Sequence, residues 1–192
     1  MSGALIGGSA EAGFLAPTAS ATGDDLALDI ILQSWIVGIT GLPGPMVRPR
    51  WQPAPPPMPD QGVNWCAVGL MSTNRDANAW FGHNPLNAGG LGDSTMQRHQ
   101  DLDVLATFYG TNAGQYGSVF ADGAQVEQNR DVLTLNGIAL VESGLAQVVP
   151  DLINAIWVRR VDVRVSLRQQ ITRTYPIRTV LTAPIKLTNN PG

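Results

Sequence analysis

The sequence predicts an α+β fold: a largely antiparallel sheet of about four to five strands, two helices packed on one face, and a flexible N-terminal arm. Three observations predict it. Apolar residues recur at three- and four-residue spacing in two stretches, 25–40 and 111–129, the period of a helix with one buried face. In two others, 97–109 and 151–175, they alternate with polar residues, the period of a half-buried strand. The order helix, two strands, helix, three strands has short turns in its second half, which favours antiparallel neighbours with helices on one side. At 192 residues and 44% hydrophobic content the chain suffices for one packed domain and is too short for two full ones. We expect an arm over 1–22 and a single domain over 23–192.

The arm is small and polar apart from Leu5, Ile6, Phe14 and Leu15, and shows no periodicity, so it is expected to be disordered in the free protein. Asp24 is placed to cap the first helix, Asp25 favours its positive end, and Gly41 stops it. Leu28, Ile31, Leu32, Trp35, Ile36 and Ile39 form its buried stripe; Leu26, Ile30 and Val37 widen it, which predicts cover on two sides. Residues 41–60 hold eight prolines and read as an extended connection across the domain. Residues 63–71 are apolar at nearly every position, as in a strand buried on both faces. Residues 73–95, dense in Asn, Gly and Asp, read as a long interaction loop whose Trp80 and Phe81 need a partner surface. Leu102, Val104, Ala106 and Phe108 mark the inner side of the next strand. The second helix follows, with Ala113, Tyr116, Phe120, Ala124 and Glu127 along one line. Leu133, Leu135 and Ile138 lead through Asn136-Gly137 into a third strand ending near Pro150. Val161, Val163, Val165 and Leu167 alternate with Asp162, Arg164, Ser166 and Arg168. Tyr175-Pro176 separates this strand from a last one over 177–187.

Charged residues make up only 14% of the chain, too few for intrinsic disorder and consistent with a surface covered by other protein. The charge is segregated. Residues 1–158 carry five basic and fourteen acidic residues; residues 159–192 carry seven basic residues and Asp162 alone. All the basic residues but Lys186 are arginine, the cation suited to fixed, bidentate pairing. This points to subunits meeting acidic face to basic face, with nucleic acid as the rival partner for Arg159, Arg160, Arg164, Arg168, Arg173 and Arg178. No apolar run is long enough to span a membrane, and the first twelve residues lack a signal peptide's basic start and cleavage site. With one cysteine, Cys66, no disulfide framework or Cys-rich zinc site is expected. We therefore expect a reduced, intracellularly made, soluble protein without membrane association.

Four places resemble chemistry, and none completes it. Gly92-Asp93-Ser94 matches the nucleophile block of small serine esterases, but their histidine lies late in the chain and here the only histidines are His83 and His99. On a strand His99, Asp101 and Asp103 share a face and form a candidate metal set; the solvent or interface face of a strand is the better explanation, since no second ligand cluster with such spacing exists elsewhere. Ala88-Gly89-Gly90-Leu91-Gly92 lacks the lysine of a phosphate loop. Cys66 lies in an apolar strand and reads as an inert core thiol. The expectation is a protein with no catalytic set, no cofactor and no metal.

The phrases Trp35-Ile36-Val37-Gly38-Ile39-Thr40-Gly41-Leu42-Pro43, Val47-Arg48-Pro49-Arg50-Trp51-Gln52, Asn64-Trp65-Cys66-Ala67-Val68-Gly69, Tyr109-Gly110 followed by Asn112-Ala113, and Arg159-Arg160-Val161-Asp162-Val163-Arg164-Val165 occur in this order. Over roughly residues 25–187 this order resembles the neck (tail) terminator proteins of tailed bacteriophages, the contractile-tail type especially. The resemblance implies an α+β subunit, made in the host bacterial cytoplasm, that assembles as a ring, usually a hexamer. It also implies a place in the virion neck, where such a ring ends the tail tube and joins the tail to the head connector. The tail tube, the sheath and double-stranded DNA in transit through the lumen are the implied partners. On this reading Arg159, Arg160, Arg164 and Arg168 lie at a subunit interface or line the lumen. Trp80 and Phe81 anchor on a neighbour, and Phe14 and Leu15 anchor the arm on another chain.

Overall fold

A computed structural model describes residues 14–20, 25–84, 91–153 and 155–178. In chain order the elements are β1 (Ala19–Ser20), α1 (Asp25–Thr40), a 3-10 turn (Gly44–Met46), β2 (Val47–Pro49), β3 (Trp65–Arg75), β4 (Trp80–Asn84), β5 (Leu91–Tyr109), α2 (Ala113–Gly123), a second 3-10 turn (Glu127–Arg130), α3 (Asp131–Thr134), β6 (Ile138–Ile153) and β7 (Ile156–Arg178). The strands form a mostly antiparallel sheet in the order β1-β7-β5-β3-β2, with β4 paired to β5 and β6 to β7. The parallel pair is β2 with β3. The α+β class is as expected; seven strands and three helices replace the four to five strands and two helices foreseen from periodicity.

Contacts divide the chain into two units, residues 22–77 with 98–171, and a smaller one drawn from 1–21, 78–97 and 172–192. In the larger unit the core lies between one sheet face and the helices. Leu102, Val104, Ala106 and Phe108 of β5 and Val161, Val163, Val165 and Leu167 of β7 point into it and are almost fully buried. From the helices come Leu32, Trp35 and Ile36 of α1 and Phe120 of α2. Phe120 is the hinge of this packing: Trp35 meets it edge-on at 5.0 Å and Phe108 at 5.8 Å between ring centres. Gly117 lets α2 approach β7 closely, since a Cβ there would stand 2.8 Å from Val161 Cγ1.

Helix α1 ends where Gly41 takes a φ of +69°, its N–H still bonded to the Val37 carbonyl at 2.9 Å. Gln33 Nε2 donates to the carbonyls of Gly44 (3.0 Å) and Val47 (2.7 Å), tying the following turn and β2 to the helix. The expected cover on two sides is not found: Leu26 and Ile30 are exposed, because only the stripe through Leu28, Leu32, Trp35 and Ile36 meets the sheet. Asp24 lies outside the described residues. Within the proline-rich stretch, Val47–Pro49 does pair, but as the short end strand of the sheet, where a missing N–H is tolerated. Cys66 through Gly69 are buried consecutively, as the apolar run predicts.

Three boundaries differ from expectation. The second helix stops at Gly123, and Glu127 is exposed in the 3-10 turn. Leu133, read as leading into the third strand, lies in the one-turn α3 (Asp131–Thr134), which buries it and leaves Leu135 exposed; β6 starts after Gly137, at φ +69°. Strand β7 runs through Tyr175-Pro176 to Arg178 without the expected break, and residues 179–187 lie outside the described ones. Strand β6 is long, pairs with β7 along its length, and carries two irregularities, between Leu140 and Glu142 and between Ser143 and Ala146.

In the smaller unit, β4 pairs antiparallel with β5 from Trp80 opposite Gln97 to Asn84 opposite Asp93. The stretch 73–95, expected as one loop, thus holds the end of β3, all of β4 and the start of β5. Its small residues still alternate, with Gly92, Ser94 and Met96 buried. Part of the arm is also paired: Ala19 and Ser20 lie opposite Thr174 and Arg173 of β7, and Thr18 N donates to the Thr174 carbonyl at 2.8 Å. The expectation that an ordered arm must lie on another chain is corrected here. Backbone ladder bonds need no apolar side chain.

Two outcomes test this packing. Phe120→Ala removes the ring shared by α1, α2 and β5 and should cost about 3–5 kcal/mol in urea unfolding. Burial pushes the Cys66 thiol well above its ordinary value, against smaller lowering effects of Arg50 and a backbone hydrogen bond involving Thr107. A disulfide reagent at mildly alkaline pH should therefore leave Cys66 unmodified in the folded chain and label it fully in denaturant.

Candidate interaction surfaces

Alternation that buries Val161 to Leu167 turns Arg160, Asp162, Arg164, Ser166 and Arg168 to the opposite face of the sheet. On β5 the same rule puts Asp101, Asp103, Leu105, Thr107 and Tyr109 there. The two strands meet as an ion-pair ladder. Arg168 Nη1 donates to Asp101 Oδ1 at 2.7 Å and Nη2 to Asp76 Oδ2 at 2.9 Å. Arg164 Nε stands 3.6 Å from Asp103 Oδ1. Arg160 holds Asp162 with two parallel bonds, Nε–Oδ1 at 2.9 Å and Nη2–Oδ2 at 2.8 Å, and reaches Asp151 Oδ2 at 3.3 Å. The hydrogen bond to Asp162 holds the Arg160 guanidinium more firmly protonated than usual, and its bond to Asp101 does the same for Arg168. Arg159 is exposed near the β6–β7 turn. The ladder takes up three of the four arginines singled out from the sequence. Their partners Asp76, 92 positions from Arg168, and Asp151, nine positions from Arg160 across the β6–β7 turn, carry no local signal that marks them as such.

The candidate metal set is dissolved by the same pairs. Asp101 faces Arg168, Asp103 faces Arg164, and His99 Nδ1 is 3.9 Å from Asp76. Among the described residues no group of three or more His, Cys, Asp or Glu side chains is placed to hold an ion. Ser94 of the esterase-like block sits inside β5 opposite His83, and is buried. A buried strand hydroxyl offers no approach to a substrate.

Beside the ladder, the segment after β2 crosses this outer face. Trp51 Nε1 donates to the Leu70 carbonyl at 3.2 Å, and Gly69 is required beneath it, since a Cβ there would lie 2.9 Å from Arg50 Cβ. Trp65 stacks flat on Tyr109, 4.5 Å between centres and 11° between planes. Burial raises the Tyr109 phenol, an effect that the nearby Arg160 and Arg50 oppose. Arg48 and Arg50 of this segment, part of the phrase that carries the family likeness, were not marked as site residues by charge segregation.

The apolar anchors are exposed. Trp80 and Phe81 on β4 are 60% and 53% accessible, the Trp80 ring folded over Gly82. Phe14 is 88% and Leu15 41% accessible. In the larger unit Leu145, Val148, Leu152, Ile156 and Trp157 are exposed along β6 and its turn into β7. No helix among the described residues is long and apolar enough to cross a membrane.

The ladder predicts how the face treats nucleic acid. Wild-type protein should bind duplex DNA weakly, and Asp76→Asn with Asp101→Asn, which frees Arg168, should strengthen binding and steepen its salt dependence. Fluorescence anisotropy between about 50 and 200 mM salt measures both.

No curated protein matches the chain. The family model described as phage neck terminator protein matches residues 26–191, from the first turn of α1 to the next-to-last residue. The chain belongs to the phage neck terminator protein family.

Proposed function

We propose that this structural neck protein forms a ring, a hexamer, that ends the tail tube of a contractile-tailed phage and joins it to the head connector, with double-stranded DNA passing through the lumen. The family match over nearly the whole domain carries the reading. The exposed apolar residues support it: Leu145 (91% accessible), Leu135 (86%) and Trp157 (71%) are side chains that a lone subunit has no means to cover. In this reading Trp80, Phe81, Phe14 and Leu15 dock on neighbouring subunits or on the adjoining tail tube, sheath or connector proteins. The arginine face meets protein or lines the lumen with its charge already compensated by Asp76, Asp101, Asp103, Asp151 and Asp162. That compensation also weighs against the alternative, a nucleic-acid-binding module using the C-terminal arginine strand, because phosphates would have to displace carboxylates held at 2.7–3.6 Å.

Light scattering after gel filtration, with negative-stain images of the protein and of tails carrying it, should show a closed ring of one stoichiometry. Deleting residues 2–17 removes Phe14 and Leu15 but spares the pairing of Ala19 and Ser20. The subunit should keep its melting temperature and lose attachment to tails or connectors. Trp80→Ala with Phe81→Ala should behave in the same way. Full-strength attachment by both variants would leave these anchors without the proposed role.

A further inference from the structure

The outer face of the larger unit carries, next to the ion-pair ladder, a cleft of about 410 Å³ walled by Pro55, Pro56, Trp65 and Tyr109 and flanked by Arg48 and Arg50. The two arginines are fixed. Arg48 Nε donates to the Pro45 carbonyl at 3.0 Å and Nη1 to that of Pro57 at 2.8 Å, with its guanidinium 5.7 Å over the Trp65 ring. Arg50 Nη2 donates to Thr107 Oγ1 at 2.6 Å, while its Nε is buried and finds no acceptor. Among the described residues neither guanidinium meets a carboxylate, although Arg160, Arg164 and Arg168 on the same face all do. Arg98 Nε and Arg130 Nε are likewise buried without an acceptor, so what sets the cleft apart is its pair of fixed guanidiniums without a carboxylate, the acceptor that matches a guanidinium.

On the other side of the sheet, in the helix layer, Asp122, Glu127 and Asp131 are exposed around the end of α2, the second 3-10 turn and α3. None of the three is in an ion pair among the described residues. The one cation between them, Arg130, donates Nη2 to the Gln125 carbonyl at 3.1 Å. The cleft and this acidic corner face opposite ways across one sheet, so they cannot satisfy each other within a copy.

Resting on the ring reading above, we propose that the Arg48–Arg50 cleft receives the carboxylates of the Asp122–Glu127–Asp131 corner of a second copy. Each subunit then offers the cleft to one neighbour and the corner to the other. A contact between two different patches repeats head to tail, and such a contact closes into a ring when its rotation allows. The cleft supplies fixed cations and the corner loose anions, so the pairing sets orientation as well as attraction.

The test uses the full chain, with circular dichroism and a thermal melt as controls for folding. Glu127→Lys with Asp131→Lys changes only exposed side chains and should raise the protein concentration needed for assembly at least tenfold, as should Arg50→Gln. Adding Arg50→Glu to the two lysine substitutions should recover assembly. If that combined chain does not fold, the lysine pair alone decides. Rings formed by the lysine pair at wild-type concentration would overturn the contact and leave the ring reading standing. A wild-type chain that stays monomeric both in solution and on purified tails would overturn the ring reading and this contact together.

Discussion

Burial of one sheet face under α1 and α2 is the constraint from which the rest of the larger unit follows. Side chains on a strand alternate, so fixing Leu102 to Phe108 and Val161 to Leu167 in the core fixes every residue between them on the other side. A slip of one residue would drive Arg164 and Asp103 into the helices and expose Leu102, Val104, Phe108, Val161, Val163, Val165 and Leu167. The cost of such a slip is several buried side chains at about 1.5–3 kcal/mol each. The charged face is therefore as well specified as the core, though little apolar area covers it.

That coupling changes what the charge distribution means. In sequence the last 34 residues look like a basic tail attached to an acidic body. Folding lays β7 alongside β5 and folds β6 back against it, and Arg160, Arg164 and Arg168 meet carboxylates there. The bidentate Arg160–Asp162 pair joins residues two apart on one strand, whereas Arg168 reaches residues 67 and 92 positions away. Fixed pairs of this kind add little net stability at a surface, but they exclude other partners. On the same outer face, Arg48 and Arg50 of the proline-rich segment have no carboxylate partner among the described residues and are held by carbonyl and hydroxyl oxygens instead.

The legible parts of the fold were those where burial imposes a period. α1, the inner rows of β5 and β7, and the doubly buried run from Cys66 to Gly69 all follow from spacing. The β4–β5 hairpin was missed because its inward residues are Gly92 and Ser94, too small and polar to register as an apolar alternation, and because Asn and Gly are depleted in strands generally. The one-turn α3 ahead of β6 left no period to read: Leu133 and Leu135 alternate, yet one is buried by a single helical turn and the other left in solvent. Of the candidate site, the arginine face was legible and its partners were not, since Asp76 and Asp151 are brought to it by pairing across strands. Nothing in composition distinguishes Arg50 from the arginines of β7; only its buried, unanswered Nε does.

Strand β6 illustrates a different demand on such a molecule. It is 16 residues long, and no strand among the described residues lies on its far side. A straight edge of that length is a template on which further chains could add without limit. Its two irregularities, at Leu140–Glu142 and Ser143–Ala146, interrupt the ladder and bend the strand. An edge interrupted in this way is a poorer template for the addition of further strands than an unbroken ladder of the same length.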